Sequence, residues 1–304
     1  MLKIKFIQKA LFLWLTLALT AFVDAANFTY DGINRRDPVG EVELRTFAAV
    51  GQIQCNRVKT GAPRVSTGFV LDIGQGDDFA LIMTSGHVLR DQTDNEFNLD
   101  CLFVKNNSSS SQPLEHKHAG NLVQEQAADF IKNDWGATIV RPNPFLERIA
   151  VSNYTFDELM QLLAEDKGEI KLYSRNQEPN EGIPRIQVSD KCSIWQPTPR
   201  AILGSGHSLY TNCDSASSGS AGALVIEFTD GRVEAIGIMS GSVQTNSVLK
   251  RILAAYPNKL SMEEVHHAID IIPSPESIIN IAIPLIPGMR ERSLEELFDD
   301  YLNL

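Results

Sequence analysis

The sequence lacks the features that mark most nucleic-acid-binding and membrane-spanning proteins. It has 27 Lys and Arg residues against 38 Asp and Glu, which gives a formal net charge of −11. Nucleic-acid binders concentrate basic residues in a patch or stripe, and this chain has no such concentration. After residue 25, no apolar stretch reaches the roughly 20 residues that a membrane-spanning helix needs. With 43% hydrophobic and 21% charged residues, the composition indicates a soluble globular protein whose partners are neither nucleic acid nor membrane.

Metal-binding patterns are missing as well. The four cysteines match no zinc-site spacing. His266 and His267 are adjacent, so they cannot face one metal ion at the i, i+4 spacing that helical metal sites favour. His116 and His118 fall in a polar loop, and His207 precedes a cysteine-containing loop, where we expect a structural role. We therefore expect no metal ion and no cofactor.

The N-terminus does carry an export signal. Three lysines within the first nine residues precede a nearly unbroken apolar run, Ala10–Val23. Val23 and Ala25 then supply small residues at the two positions that a signal peptidase reads. An uncleaved anchor is the alternative, but the run is short for a membrane span. The pattern predicts a signal peptide over residues 1–25 and a secreted or periplasmic protein.

Cysteine usage agrees with export. Four cysteines are an even number, and in an oxidising compartment they predict two disulfides. Three pairings are possible. We prefer Cys55–Cys101 and Cys192–Cys213, because each pair then ties segments within one half of the chain.

Past the signal, short strands alternate with turn-rich loops, which is typical of β-sandwiches and barrels. The first series is predicted at Ala48–Cys55, Thr67–Ile73, Phe79–Thr84, Cys101–Lys105 and Ala137–Val140, with a surface loop over Asn106–Gln112. The second series is predicted at Ile170–Tyr173, Arg185–Val188, Leu209–Asn212, Gly222–Phe228, Val233–Ser240 and Ile279–Leu285.

A helix signal separates the two series. Thr155 and Glu158 match a capping box, and four apolar residues between positions 156 and 163 share one helical face. Further helices are predicted at Ser261–Ile272 and from Ser293 to the C-terminus. We predict an all-β protein with one β domain over residues 26–150 and a second over residues 151–304, joined by an interdomain helix and ending in a C-terminal helix.

Three segments place reactive side chains at strand boundaries, in the order His, Asp, Ser. A buried strand leads to His87, Asp134 enters an apolar strand, and Ser220 lies among small residues before another apolar strand. Each residue alone has an ordinary structural explanation: a satisfied histidine, a turn aspartate, a loop serine. Together they match a chemical need, because a serine hydroxyl attacks well only when a base takes its proton and a carboxylate orients that base.

These segments resemble the motifs of the trypsin/chymotrypsin-type serine peptidases, especially the bacterial secreted branch that includes the glutamyl endopeptidases. Thr84-Ser-Gly-His87 is similar to the family's Thr-Ala-Ala-His, Asp134-Trp-Gly-Ala to its Asp-x-Ala segment, and Ser218-Gly-Ser220-Ala-Gly-Ala to Gly-x-Ser-Gly-Gly-Pro. The resemblance implies two antiparallel six-stranded β-barrels with the site between them. His87, Asp134 and Ser220 would form the triad of a serine endopeptidase, and the N–H groups of Ser218 and Ser220 its oxyanion hole.

The same resemblance assigns substrate-binding residues. The run Gly237–Ser242 is similar to the strand that backs the substrate, so Ser240, Gly241 and Ser242 are expected to contact the peptide, with Ser240 also supporting Asp134. Asp214 stands where trypsin-like enzymes bind Lys or Arg, although the bacterial branch combines an aspartate there with other preferences. The expected partner is a peptide or protein substrate, and the residue specificity stays open.

The chain departs from the family at the nucleophile turn. Ser218 replaces the usual oxyanion-hole glycine, while Ala221 and Ala223 replace a glycine and a proline. Ser218 and Ala221 favour an alternative function, in which an inactive homologue binds peptides or proteins through the same cleft. Asp129 is an alternative orienter, and Ser218 an alternative nucleophile. Gly219 replaces the aspartate of mammalian zymogens, which predicts activity without an N-terminal switch.

Overall fold

The computed structural model describes residues 36–38, 48–74, 78–105, 110–122, 133–176, 185–195, 208–215, 220–244 and 278–289. The strands are β1 (Arg36–Pro38), β2 (Val50–Asn56), β3 (Pro63–Asp72), β4 (Ala80–Ser85), β5 (Leu99–Lys105), β6 (Ser111–Pro113), β7 (Glu115–Ala119), β8 (Trp135–Val140), β9 (Ile149–Val151), β10 (Gly168–Asn176), β11 (Arg185–Cys192), β12 (Ile194–Trp195), β13 (Leu209–Thr211), β14 (Ala223–Phe228), β15 (Val233–Gln244) and β16 (Ile278–Pro284). The helices are α1 (Gly86–Leu89) and α2 (Phe156–Ala164).

The two series of predicted strands are present, and the all-β class is confirmed. Strands β4 and β8 are buried along their whole length, which explains why most of their residues are apolar. The loop prediction was wrong at two places. Ser111 and Gln112 pair with β5 as part of β6, and His116 and His118 lie on β7 rather than in a loop. Both strands are short and polar because they are largely exposed, so they carry no strand-like alternation of apolar residues.

In the first half of the chain, residues 48–151, antiparallel pairing brings the ends of β4 and β8 together. β4 lies between β3 and β8, with Ser85 opposite Trp135. β2 pairs with β3 and β5, and β6 and β7 extend the sheet at β5 and β8. The residues just after β4 and just before β8 therefore meet at one edge, where His87 and Asp134 lie.

In the second half, residues 152–289, β10 lies between β11 and β14, and β14, β15 and β16 follow in order. β9 joins the halves, since it pairs in parallel with both β3 and β15. Among the described strands, the hydrogen-bonded network is continuous and does not close either half into a ring. Within these ranges the strands of the two expected six-stranded barrels form one connected sheet that is not closed.

The core has two parts that do not divide at residue 150. One begins in the first half with Phe69, Ile82 and Ile139, and continues across to Tyr173 and Ile238 of the second half. The other lies within the second half, where Leu159 of α2 is buried against strand residues such as Leu172 and Ile236. Adjacent residues of β10 thus face different parts of the core, as strand alternation requires. The division into domains at residue 150 stays a prediction.

Helix α2 begins with the predicted capping box. Thr155 N donates to Glu158 Oε2 at 2.7 Å, and Glu158 N donates back to Thr155 Oγ1 at 3.4 Å. These bonds satisfy main-chain donors that the first helical turn leaves without partners. The helix prediction is confirmed.

Both preferred disulfides are confirmed. Cys55 is joined to Cys101, across 46 residues of sequence, and Cys192 to Cys213, across 21. Each closes a loop within one half, which restricts the unfolded chain. The signal peptide, the helix Ser261–Ile272 and the C-terminal helix were predicted in parts of the chain that lie outside the described residues. Within the described part, no helix has the length and apolar character to cross a bilayer.

Candidate active site

The loop that carries His87 is held against the segment entering β8. Gly86 N donates to Asp134 O at 2.8 Å. A Cβ atom at Gly86 would lie 2.8 Å from Trp135 O and 3.2 Å from Asp134 C, closer than side chains approach a backbone. Glycine at this position therefore lets the two segments touch, and α1 starts immediately beside Asp134.

His87 and Asp134 form a buried pair. His87 Nδ1 lies 2.7 Å from Asp134 Oδ2 and 2.9 Å from Oδ1, and His87 N donates to Oδ1 at 2.7 Å. Asp134 is wholly buried and His87 is 3% exposed. A carboxylate at Nδ1 favours the tautomer with its proton there, which leaves the Nε2 lone pair to act as a base.

Ser240 of β15 completes the contacts of that carboxylate. Its Oγ donates to Asp134 Oδ2 at 2.5 Å, across 106 residues of sequence. Asp134 thus accepts bonds from the main chain and ring of His87 and from a strand of the other half. The structure brings together His87, Asp134 and Ser240, the first two as a predicted pair and the third as its predicted support.

The turn that carries Ser220 reaches the same place through main-chain contacts. Ser220 O accepts bonds from Ser66 Oγ at 2.6 Å and Thr67 N at 3.2 Å. On its other side, Ala221 N donates to Met239 O at 2.6 Å. Met239 O also accepts from Ser85 Oγ at 2.8 Å. The Ser220 turn and the His87 loop therefore share one carbonyl, and Ser220 is buried between β3 and β15.

The turn itself requires an unusual backbone. Ala221 has φ = +67°, in the left-handed region where a Cβ is disfavoured. Gly222 follows at a close approach, since a Cβ there would lie 2.7 Å from Ser174 Cβ. The departure from glycine at position 221, noted in the sequence, thus falls at a position whose conformation favours glycine.

Three residues that hold this arrangement were not predicted from the sequence: Ser66, Thr67 and Ser85. All are buried, and all bond to the turn or to the carbonyl that it shares. Thr84 Oγ1 adds a bond to Thr67 O at 2.9 Å. These residues could have been recognised from the sequence, because polar residues that occur together in a buried strand almost always have hydrogen-bond partners.

The residues assigned to substrate binding differ in their surroundings. Asp214 is fully buried, and its N–H donates to Ser189 Oγ at 2.9 Å. Asn280 Nδ2 donates to Cys213 O at 2.5 Å, fixing the segment before Asp214. Around Gly241 there is open space, since a Cβ there would meet no atom within 4 Å. Beside the buried pair, this strand edge leaves room for a ligand.

Several predicted residues lie outside what the structure describes. They are Ser218 and Gly219 of the nucleophile turn, the alternative orienter Asp129, the histidines His207, His266 and His267, and the side chain of Ser242. Within the described ranges, no three His, Cys, Asp or Glu residues are grouped so as to hold a metal ion.

Two half-buried arginines lie on the strands that contact the turn. Arg64 is on β3, and burial lowers the pKa of its guanidinium, with repulsion from Arg57 acting in the same direction. Arg175 is on β10, where its N–H donates to Thr67 Oγ1 at 2.9 Å. Burial lowers the pKa of Arg175 to about 10. Cations withdrawn from water in this way are stabilised by a nearby anion.

Comparison with known proteins gives a result for the fold only. No family model and no curated protein sequence matches the chain. Among solved structures, the protease Anisep from Arthrobacter nicotinovorans is similar with a TM-score of 0.55 at 8% identity, over 86% of this chain and 98% of that one. The thermostable serine protease AL20 from an extremophilic microorganism gives 0.54 at 8% identity, over 84% and 97%.

A Glu endopeptidase gives a TM-score of 0.52 at 11% identity, over 89% of this chain and 97% of that one. The three neighbours are named as a protease, a serine protease and a Glu endopeptidase, and the match covers 97–98% of each of those chains. The chain therefore has the chymotrypsin-like fold that its motifs resembled.

Proposed function

We propose that the chain is a secreted serine endopeptidase with Ser220 as nucleophile, His87 as general base and Asp134 as the residue that orients the base. The observation that carries this proposal is the buried contact of His87 Nδ1 with Asp134 Oδ2, at 2.7 Å, on a loop that shares the Met239 carbonyl with the Ser220 turn. The Asp134 carboxylate leaves the other ring nitrogen of His87 available as a base, and the shared carbonyl holds the His87 loop and the Ser220 turn close to each other.

In the proposed reaction, Ser220 Oγ attacks the carbonyl carbon of a peptide bond while His87 Nε2 takes the hydroxyl proton. His87 then gives that proton to the departing amine, and the peptide C–N bond breaks to leave an acyl-enzyme. A water molecule, deprotonated by the same imidazole, releases the acid product and restores Ser220. Asp134 stays ionised throughout and stabilises the imidazolium that forms twice in each cycle.

The substrate is proposed to lie along β15 at Ser240–Ser242, where the open space at Gly241 accommodates a peptide. The N–H groups of Ser218 and Ser220 would bind the oxyanion, and Asp214 would contribute to the pocket for the residue before the cleaved bond. Losing one oxyanion donor typically raises the barrier by about 3 kcal/mol. Export through cleavage after Ala25 belongs to the same proposal, and two disulfides fit an extracellular location.

The first test is covalent labelling with a fluorophosphonate, which reacts with activated serines. The folded chain should incorporate one equivalent, and peptide mapping should locate it on Ser220. Ser220→Ala should abolish labelling, whereas Ser193→Ala, at an exposed serine of the second half, should retain it. Unfolded protein should not react, because activation depends on the assembled pair.

The second test is cleavage of a broad peptide library. Active protein should cut a defined set of bonds, with kcat reduced about 10⁶-fold in Ser220→Ala. If the folded chain binds library peptides but neither cleaves them nor reacts with the phosphonate, the enzyme proposal is wrong. The chain would then be an inactive homologue that binds peptides in the same cleft.

A further inference from the structure

Ser220 lies between two strands that a peptide substrate would meet in turn. β15 contacts the turn through Met239 O, and β3 contacts it through Ser66 Oγ and Thr67 N. If the part of the peptide before the cleaved bond lies along β15, the chain passes Ser220 and continues toward β3. β3 therefore borders the leaving-group side, where the residues after the cleaved bond lie.

Arg64 is placed on that side. It is two residues before Ser66 on β3, so its side chain projects from the same face of the strand. It is half-buried, in register with Cys55 of β2. Its charge also interacts with Asp134 and Asp91, which raise the pKa of Arg64 against the larger effects of burial and of Arg57. Arg64 is thus within electrostatic reach of the catalytic pair.

Arg57 adds a second positive charge beside Arg64. It lies where β2 turns toward β3, with Arg57 N donating to Ala62 O at 2.9 Å, and it is exposed. Arg57 repels Arg64, since its charge lowers the pKa of Arg64. Two like charges held close to each other create a local potential that attracts an anion.

Within the described residues, neither arginine forms an ion pair with a carboxylate. The third cation of this hairpin, Lys59, does so, with Nζ 2.7 Å from Asp94 Oδ2. The contrast matters because the chain has 38 acidic residues against 27 basic ones, so carboxylates are plentiful. A partly buried guanidinium with no carboxylate in ion-pair contact is unfavourable even where other acidic residues act on it through space, and a bound carboxylate would stabilise it further.

We propose that Arg64, assisted by Arg57, binds a carboxylate on the leaving-group side of the substrate, so that the enzyme prefers Asp or Glu within the first two residues after the cleaved bond. The inference rests on the proposed peptidase function and gives it a substrate class. A planar guanidinium can donate two parallel hydrogen bonds to one carboxylate, which a neutral amide cannot match.

The test uses pairs of internally quenched peptides that share the sequence before the cleaved bond, chosen from the library. The first or second residue after the bond is Glu in one member and Gln in the other. We expect kcat/KM for the Glu peptide to exceed that for the Gln peptide about tenfold in low salt, and the ratio to fall as salt rises. A third pair with a C-terminal acid or amide at the same distance shows whether a chain terminus supplies the carboxylate equally well.

Variants assign the effect to the arginines. Arg64→Gln should bring the Glu/Gln ratio close to one, and Arg57→Gln should lower it partly. Arg64→Glu should reverse the preference toward Lys at the same position, a gain that misfolding cannot produce. Lys59→Gln is the matched control, since that lysine is already paired, and it should leave the ratio unchanged.

Binding to the Ser220→Ala variant, measured by fluorescence polarisation, separates this inference from the proposed function. Cleavage with equal rates for Glu and Gln peptides would overturn the inference and keep the peptidase. Tighter binding of the Glu peptide without cleavage by the unmodified chain would keep the cationic site and overturn the peptidase. Equal binding and no cleavage would overturn both.

Discussion

Ser240 Oγ donates to Asp134 Oδ2 at 2.5 Å, so a strand of the second half supports a carboxylate of the first. Because Asp134 also holds His87, the orientation of the imidazole depends on both halves. Hydrogen bonds to a charged group typically contribute about 1.5–3 kcal/mol, and only part of that would act on the transition state.

Ser240→Ala is therefore expected to lower kcat about tenfold with a smaller change in KM. Steady-state kinetics on a library-derived peptide would show whether the substitution changes kcat more than KM. Ser240→Thr keeps the hydroxyl and should restore most of kcat. A drop in activity that merely follows the fraction of folded protein, with no rescue by threonine, would contradict the positioning role.

Gly86→Ala is expected to destabilise the fold by about 2 kcal/mol, because the added methyl would lie 2.8 Å from Trp135 O. The backbone must shift to relieve that contact, and the shift separates His87 from Asp134. Chemical denaturation reports the first effect, and kcat at saturating substrate reports the second.

The matched control is Gly241→Ala, where the added methyl meets no atom within 4 Å. Its free energy of unfolding should stay within about 0.5 kcal/mol of the unmodified chain. If the two alanines destabilise the chain equally, the close approach at Gly86 is not the cause of the lost stability at that position.

The same substitution at two buried alanines should have different effects on stability. Ala223→Gly, in β14, loses a buried methyl and gains unfolded-state freedom, which together lower stability by about 1–2 kcal/mol. Ala221→Gly loses the same methyl but relieves a φ of +67°, which contributes about 1–2 kcal/mol in the opposite direction. Urea unfolding should give Ala221→Gly a free energy of unfolding about 1–2 kcal/mol higher than that of Ala223→Gly. Identical losses would mean that the left-handed residue carries no strain.

Arg175→Met is expected to stabilise the chain by about 1 kcal/mol at pH 7, since screening by water limits the effect of a half-buried charge. Arg175 Nη1 is buried without a hydrogen-bond partner among the described residues. Folding lowers the pKa of the Arg175 guanidinium to about 10 through burial, so the folded state disfavours the charged form.

The sign of the pH dependence follows from that shift. The unfavourable contribution of Arg175 is fully present below pH 10 and is relieved as the pH rises above it. The difference in unfolding free energy between Arg175→Met and the unmodified chain should therefore be constant from pH 6 to 9 and shrink above pH 10. A variant that is less stable at neutral pH would show that Arg175 has a favourable partner.

The strands that the sequence predicted well are those with continuous burial. β4 and β8 are mostly apolar because every residue of both strands is buried, and a run of such residues is visible locally. β6 and β7 were missed because edge strands with polar side chains resemble loops. β9 and β12 have three residues or fewer, too short for any periodicity to be recognised.

The site was predictable as three motifs in order, but not as a geometry. His87 and Asp134 are 47 residues apart, and Ser240 is 106 from Asp134, so their contacts depend on how distant strands pair. The contribution of Ser66 and Thr67 has the same origin, since their partner Ser220 is more than 150 residues away. The left-handed backbone at Ala221 could be suspected only from the missing glycine.

The three residues of β9 pair with β3 on one side and β15 on the other, and Ser152 N adds a bond to Ala235 O at 3.0 Å. A hinge motion that separates the two halves would have to break these main-chain bonds and divide the core that both halves share. If the proposed function is right, a peptide should bind to a site that is assembled beforehand, and association should show no slow isomerisation step. For the same reason, calorimetry should record one melting transition for the whole molecule, because neither half can lose its structure while the other keeps its own.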